Sequence, residues 1–375
     1  MSNFAIPTDG LKEKFDEAYS ELKKNIKSPN ILLLGQTGVG KSSLINTIFG
    51  KEMAKVSNVK PETRGFHIYS NASVPVNIID SEGYELASAE QFKDSLSQYI
   101  DENFADITKQ IHIAWYCISI SSARVLPYDL ENLDYLVNAK KIPTCVVFTQ
   151  CDNDTPEGDT AKALQSVVTQ RFGRYMPCFQ TSNDEIINKE LDLGKLIEWS
   201  VNNLSDENLR SGFLIAQKVD LEKKGEKARS RIKYYVGLAG AIGASPIPMS
   251  DAVLLTGLQV KMTSDIFTLY GLNTQFTDTI RNIIGGRVIS MLGKMVAGSL
   301  LKFIPGLGTI AGAAINAGVA VSITASLGYA LCLLTKKAIE EEWSGNVAVL
   351  EKLFTEENIQ RLMDEYKKKN LKWEK

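Results

Sequence analysis

Residues 35 to 42 read Gly35-Gln36-Thr37-Gly38-Val39-Gly40-Lys41-Ser42, and Ser43 follows. Two glycines with four residues between them, then a cation and a hydroxyl, form the G-x-x-x-x-G-K-[ST] pattern of a phosphate loop. Consecutive backbone N–H groups of such a loop point inward at phosphate oxygens, and the helix that starts there adds partial positive charge. Lys41 can reach the β- and γ-phosphates of a nucleotide, and the Ser42 hydroxyl can ligate Mg²⁺.

That chemistry needs a strand before the loop and a helix after it. The apolar run Ile31-Leu32-Leu33-Leu34 suits a buried parallel strand, and Ser43-Leu44-Ile45-Asn46-Thr47-Ile48-Phe49 has helical apolar spacing. Further groups follow in order. Asp80-Ser81-Glu82-Gly83 closes the run Val76-Asn77-Ile78-Ile79. There Asp80 can hold a metal-bound water and Gly83 can offer its N–H to a γ-phosphate. Between the two motifs lies Pro61-Glu62-Thr63-Arg64-Gly65. Thr63 is placed to close over the metal when the γ-phosphate is present and to release afterwards. Later, Cys145-Val146-Val147-Phe148 leads into Thr149-Gln150-Cys151-Asp152. The Asp152 carboxylate can accept from the N1–H and N2–H₂ edge of guanine, which adenine lacks. Met176 to Gln180 leads into Thr181-Ser182-Asn183, a loop whose backbone can meet the guanine O6.

This ordered set, over about residues 28 to 204, resembles the five-motif set of the translation-factor-related GTPases. The stretch Gly35 to Asn46 is most similar to the Era/TrmE, septin and immunity-associated branches. The resemblance implies an α/β P-loop G domain with a mostly parallel six-stranded sheet, GTP/GDP and Mg²⁺ as cofactors, and GTP hydrolysis. The implied nucleotide site comprises residues 35 to 43 with Thr149, Gln150, Asp152, Ser182 and Asn183. Its metal ligands are Ser42, Thr63 and Asp80.

Two departures shape the expected activity. The usual N-K-x-D is Thr149-Gln150-Cys151-Asp152 here, so Thr replaces the Asn that ties base loop to phosphate loop, and Thr makes fewer hydrogen bonds. Guanine selection then rests on Asp152. Where Ras-like enzymes carry a water-orienting Gln after Gly83, this chain has Tyr84. Slow intrinsic hydrolysis follows, unless a partner or second copy completes the site. Arg64, next to Thr63, and Arg124, in Ser121-Ser122-Ala123-Arg124, are the candidate arginine fingers, in cis or across a G-domain homodimer. Gly38 replaces the Asn of potassium-activated relatives, so no potassium dependence is expected.

Composition bounds the rest. The chain has 375 residues and a net charge of −2, enough length for two domains and no global basic field to draw nucleic acid. Five cysteines show no ligand spacing and read as small buried hydrophobes; His67 and His112 are too separated for a metal site. No secretory signal is visible, which points to the cytoplasm. Residues 1 to 27 carry a charged amphipathic helix, with Leu11, Phe15, Tyr19 and Leu22 on one face.

The second half differs. Residues 210 to 235 read as a charged helix. Gly243 to Asp251 is a breaker-rich turn, with Ser250 or Asp251 capping a helix to about Tyr270. From Phe303 to Thr335 there is no charged residue, and Gly308, Gly312, Ala314 and Gly318 line a small face. Two structures satisfy that pattern: a buried helix of a compact all-α domain, or a hairpin entering a bilayer. The expected division is a G domain over 28–204, a Gly/Ala-rich helical domain over 205–335 and a charged C-terminal helix over 336–375. Gly-Ala-Ser-Pro-Ile-Pro paired with Phe-Ile-Pro-Gly-Leu-Gly-Thr resembles the YcjF-type hydrophobic helical domain, which follows GTPase domains in bacterial proteins. Two functions compete on these residues: a GTP-hydrolysing switch whose helical domain contacts a membrane surface or protein effector, and a guanine-nucleotide sensor that barely turns over. Asp152 disfavours an ATPase.

Overall fold

The computed structural model describes residues 26–50, 60–62, 66–71, 74–81, 89–103, 109–243, 250–272, 317–341 and 347–370, with the single positions 17, 24, 53, 106 and 291. It divides into two compact units, one spanning Ile26–Asp220 and another that takes in Leu221–Lys375. The first unit therefore runs past the boundary expected near residue 204.

The first unit is built on a seven-stranded sheet. Its strands are β1 Asn30–Leu34, β2 Lys60–Glu62, β3 Phe66–Asn71, β4 Val74–Ser81, β5 Ile113–Ser119, β6 Thr144–Thr149 and β7 Cys178–Gln180, in the order β2-β3-β4-β1-β5-β6-β7. The pairs β4–β1, β1–β5, β5–β6 and β6–β7 are parallel; β2–β3 and β3–β4 are antiparallel. The mostly parallel sheet of the sequence reading is present, with the three-residue β2 added at one edge.

Strand β1 is buried along its whole length, as an uninterrupted aliphatic run demands of a sheet covered on both faces. Ile31 and Leu33 face one core, with helices α1 (Lys41–Phe49), α6 (Leu193–Asn203) and α7 (Glu207–Ala216). Leu32 and Leu34 face the other, with α2 (Ala89–Asn103), α3 (Pro127–Asp134) and α4 (Asp159–Phe172). In the first core Phe49 stacks on Trp115 at 6.2 Å between centroids, and Phe213 of α7 meets both edge-on. At the last turn of α1 the chain from α7 returns: Lys218 N donates to Ile48 O at 2.7 Å.

The single charged helix expected over 210–235 is two helices, α7 and α8 (Leu221–Gly243). Buried Gln217 ends the first. Its side chain accepts from Asp220 N at 2.7 Å and donates to Asp220 O at 3.1 Å, closing a turn that a helical backbone would have to open.

At the start of β1, Asn30 N donates to His112 Nδ1 at 2.9 Å. Burial lowers the His112 pKa, and the ring must be neutral at Nδ1 to accept. A base with a depressed folded pKa supports the fold above its ordinary value of 6.5 and loses that support as pH falls below it. The stability advantage of wild type over His112→Gln is therefore expected to shrink between pH 7.5 and pH 5.5 in urea titrations. A constant difference across that range would refute the role.

The second unit contains α8, α9 (Ser250–Tyr270), α10 (Ala317–Glu340), α11 (Val347–Leu353) and α12 (Glu356–Asn370). Helix α9 begins where the sequence placed its cap. Helices α8 and α10 approach closely where glycine permits: an added Cβ on Gly243 would lie 2.9 Å from Ala317 Cα, and one on Gly328 would lie 2.8 Å from Ile232. Gly308, Gly312 and Ala314 of the expected small face lie outside the described residues, and Gly318 is exposed. Polar pairs cross the interior, Tyr235 Oη to Asp265 at 2.7 Å and Gln259 Nε2 to Thr324 at 3.2 Å. Among the described residues one helix, α10, is long and apolar enough to cross a membrane, and half of its apolar window is buried inside the protein.

Candidate nucleotide-binding site

The carboxyl ends of the parallel strands β1, β4, β5 and β6 meet at one edge of the sheet, the place where open α/β sheets bind ligands. A cleft of about 460 Å³ lies there, lined by Thr37, Gly38, Gly40, Lys41, Ser42, Ser43, His67, Tyr69, Asp80, Ser81 and Gln150.

The phosphate loop turns because its glycines allow it. Gly35 has φ +140°, and a Cβ there would lie 2.4 Å from the carbonyl oxygen of Cys117 on β5. Gly40, at φ +91°, sits in the left-handed region as the N-cap of α1. Lys41 is 7% exposed, and its Nζ donates to Gly35 O at 2.8 Å and to Gln36 O at 3.1 Å. Those two carbonyls hold the ammonium in the loop. Burial lowers the Lys41 pKa against the pull of Asp80.

Asp80 ends up beside it, 8% exposed near the end of β4. Its Oδ1 is buried without a hydrogen-bond partner. Burial pushes its carboxyl up to about 6, with Lys41 and His67 partly offsetting the shift. An unpartnered carboxylate oxygen in a cleft with the hydroxyl-bearing Ser42 and a buried ammonium fits a phosphate-bound divalent cation. Such a cation would supply the charge the site is short of.

The base loop is tied to the phosphate loop despite its unusual residues. Thr149 Oγ1 donates to Val39 O, and Gln150 Nε2 donates to Gly38 O at 3.2 Å. Gln150 is held in turn: its Oε1 accepts from Ser119 Oγ at 2.6 Å and Ser121 Oγ at 2.9 Å. Replacing Asn by Thr therefore keeps the loop-to-loop link, and Gln150 adds a second. Asp152 is exposed, with one oxygen accepting from Ser182 Oγ at 2.6 Å. Asn183 follows on the surface. Arg124 is exposed just beyond β5, on the expected side of the sheet. Thr63, Arg64, Gly83 and Tyr84 lie outside the described residues.

Sequence spacing did not flag His67, Tyr69 or Tyr128. His67 pairs with Asp80 across β3–β4, so it reaches the cleft through sheet register. The Tyr128 hydroxyl, from the first turn of α3, meets the Gln36 side chain.

Phosphate cradle, buried strand-end carboxylate and a base loop tied to the cradle define a P-loop GTPase, an enzyme that hydrolyses GTP with Mg²⁺ as cofactor. A family model described as "50S ribosome-binding GTPase" matches residues 30–150. The probable GTP-binding protein EngB of Caldanaerobacter subterraneus subsp. tengcongensis is 30% identical over 165 residues, 43% of this chain and 77% of that protein. Through its first unit the chain belongs to the family of EngB-type GTP-binding proteins. The Aquifex aeolicus protein of the same name is 28% identical over 162 residues, 42% of this chain and 84% of that one. A crystal structure of a probable GTP-binding protein EngB aligns over 46% of this chain and 97% of its own, at 17% identity and a TM-score of 0.33. EngB-type proteins match more closely than the Era/TrmE branch that the motif suggested. The family model ends at residue 150 and does not reach the helical unit.

Proposed function

We propose that this GTPase is a nucleotide-dependent switch. The observation that carries the reading is Asp80, buried near the end of β4 with one oxygen unpartnered, on a cleft it shares with the phosphate loop. Ser42 and Asp80 would hold the divalent cation, which would neutralise phosphate charge, and Asp80 lies just before the segment Glu82-Gly83-Tyr84 that would respond to the γ-phosphate. In this reading residues 35 to 43 cradle the phosphates. Lys41 neutralises them, Thr63 and Gly83 close on the γ-phosphate, and Asp152 with the Ser182-Asn183 loop reads guanine. Arg64 or Arg124 supplies the transition-state charge that Tyr84 cannot, within the chain or across a G-domain homodimer. The helical unit resembles the YcjF-type domain and contacts a membrane surface or a protein effector, in a cytoplasmic protein that is peripherally membrane-associated in the first case. Half-buried α10 supports a compact unit docking at a surface over a permanent span.

Single-turnover GTP hydrolysis at rising protein concentration tests the switch. Rates that climb with concentration support activation by a second copy, and flat, near-zero rates reduce the protein to a nucleotide sensor. Lys41→Ala is expected to weaken GTP binding by about a hundredfold or more, the scale of a lost charge-assisted contact in a buried site. Unchanged affinity by calorimetry with Mg²⁺ would overturn the phosphate-loop assignment.

A further inference from the structure

We infer that Asn188 is the positioning residue of the guanine-reading loop, acting through Ser182 on Asp152; this rests on the guanine site proposed above. Asn188 is 7% exposed and ends the short helix α5, Glu185–Asn188. Its side-chain amide pairs with both backbone groups of one residue: Ser182 N donates to Asn188 Oδ1 at 2.8 Å, and Asn188 Nδ2 donates to Ser182 O. A primary amide carries donor and acceptor side by side, as a peptide does, so it can clasp a residue as a neighbouring strand would. Asp and Leu, of similar size, each lack half or all of that pair.

The clasp closes a small ring of contacts. Asp184 accepts from Ile186 N at 2.8 Å and Ile187 N at 3.1 Å, capping α5 and turning it back over Ser182. Thr181 N donates to Phe148 O, and Cys151 N to Thr181 O, so the loop lies against the end of β6. With its backbone held on both sides, Ser182 has one remaining freedom, its hydroxyl. That hydroxyl accepts from Asp184 N at 3.0 Å, which directs its proton to Asp152 Oδ1 at 2.6 Å. The Asp152 carboxylate is thereby aimed before any base arrives. The next N–H along, that of Asn183, is set at the same time, because the Ser182 peptide groups on which it follows are fixed. One buried amide thus presets both halves of guanine recognition, the carboxylate for N1–H and N2–H₂ and the backbone donor for O6. Preorganisation of this kind cuts the ordering cost of binding.

The test is calorimetric titration of the full chain with GDP and ADP, each with Mg²⁺, for wild type, Asn188→Ala, Ser182→Ala and the double variant. Asn188→Ala is expected to weaken GDP by about tenfold, one hydrogen bond's worth. ADP, held through its phosphates, should change by less than about twofold. The GDP-to-ADP ratio therefore falls, which a general loss of fold would not produce. Ser182→Ala leaves the clasp intact and keeps the inference testable if the first variant folds poorly; it should lower the ratio similarly. Because the two act in series, the double variant should lose little more than either single one. Equal losses for GDP and ADP, an unchanged ratio, or fully additive losses would overturn the role of Asn188. A wild-type protein that does not prefer GDP to ADP would instead overturn the guanine site itself.

Discussion

Asp80→Asn should make the nucleotide-free protein more stable at neutral pH and at the same time abolish the contribution of Mg²⁺ to GTP binding. The Asp80 carboxyl is raised from 3.8 to about 6 by burial, more than Lys41 and His67 offset. For an acid whose folded pKa lies above its unfolded one, stability is greatest below the unfolded value and is lost as pH rises through the folded value. At pH 7.5 the fold carries a charge it disfavours, at a cost of roughly 3 kcal/mol for a shift of about two units. Asparagine keeps the size and drops the charge. Lys41 keeps its two loop carbonyls, so part of the gain survives the loss of its counter-charge. The expected result in EDTA at pH 7.5 is a higher melting temperature for the variant, with the two proteins converging as pH falls below about 6. GTP affinity of the variant should be the same with Mg²⁺ as with EDTA. A variant less stable than wild type in EDTA, or one that still gains affinity from Mg²⁺, would contradict the placement of Asp80.

The second large effect concerns base choice. Asp152→Asn exchanges an acceptor for a donor on the group facing the N2 side of the base. Xanthine presents a carbonyl where guanine has its amino group and shares its N1–H, so the variant should prefer XDP to GDP by a factor on the order of a hundred, a matched contact at C2 against two opposed donors. The Ser182 hydroxyl can still donate to the asparagine oxygen, which leaves the new amide aimed at the base. Calorimetry with the two nucleotides decides it. A variant that keeps its preference for GDP would show that selectivity lies elsewhere in the loop.

What could be read in advance depended on whether a group's partners are neighbours in sequence. Residues 35 to 43 form a site within one turn of chain, and their spacing alone gave strand, loop and helix. Asp80 was found because it closes an apolar run, which places it near the end of a strand, and Asp152 because its four-residue motif follows one. Thr149 and Gln150 were found but undervalued. Counting hydrogen bonds by residue type predicts a weaker link, whereas two short side chains reaching two successive carbonyls keep it. His67 and Asn188 were missed as functional groups for another reason. One reaches the cleft through antiparallel register and the other by the fold-back of a four-residue helix, and neither leaves a periodic trace. The break at Gln217 was equally silent, since a side chain that mimics a turn looks like any polar residue in a helical run.

Helix α1 has one further consequence. Its first residue, Lys41, holds the phosphate loop, and near its last the carbonyl of Ile48 receives Lys218 N. Two residues later the first unit ends at Asp220. The helix is about 13 Å long at 1.5 Å per residue, so a 5° tilt imposed at the loop displaces its far end by roughly 1 Å. The stacked ring of Phe49 on Trp115 keeps that end of the helix from fraying. The chain therefore leaves the nucleotide unit beside the far end of the helix whose first residue holds the phosphate loop, and a tilt of that helix would be felt along the backbone from Lys218 to Asp220.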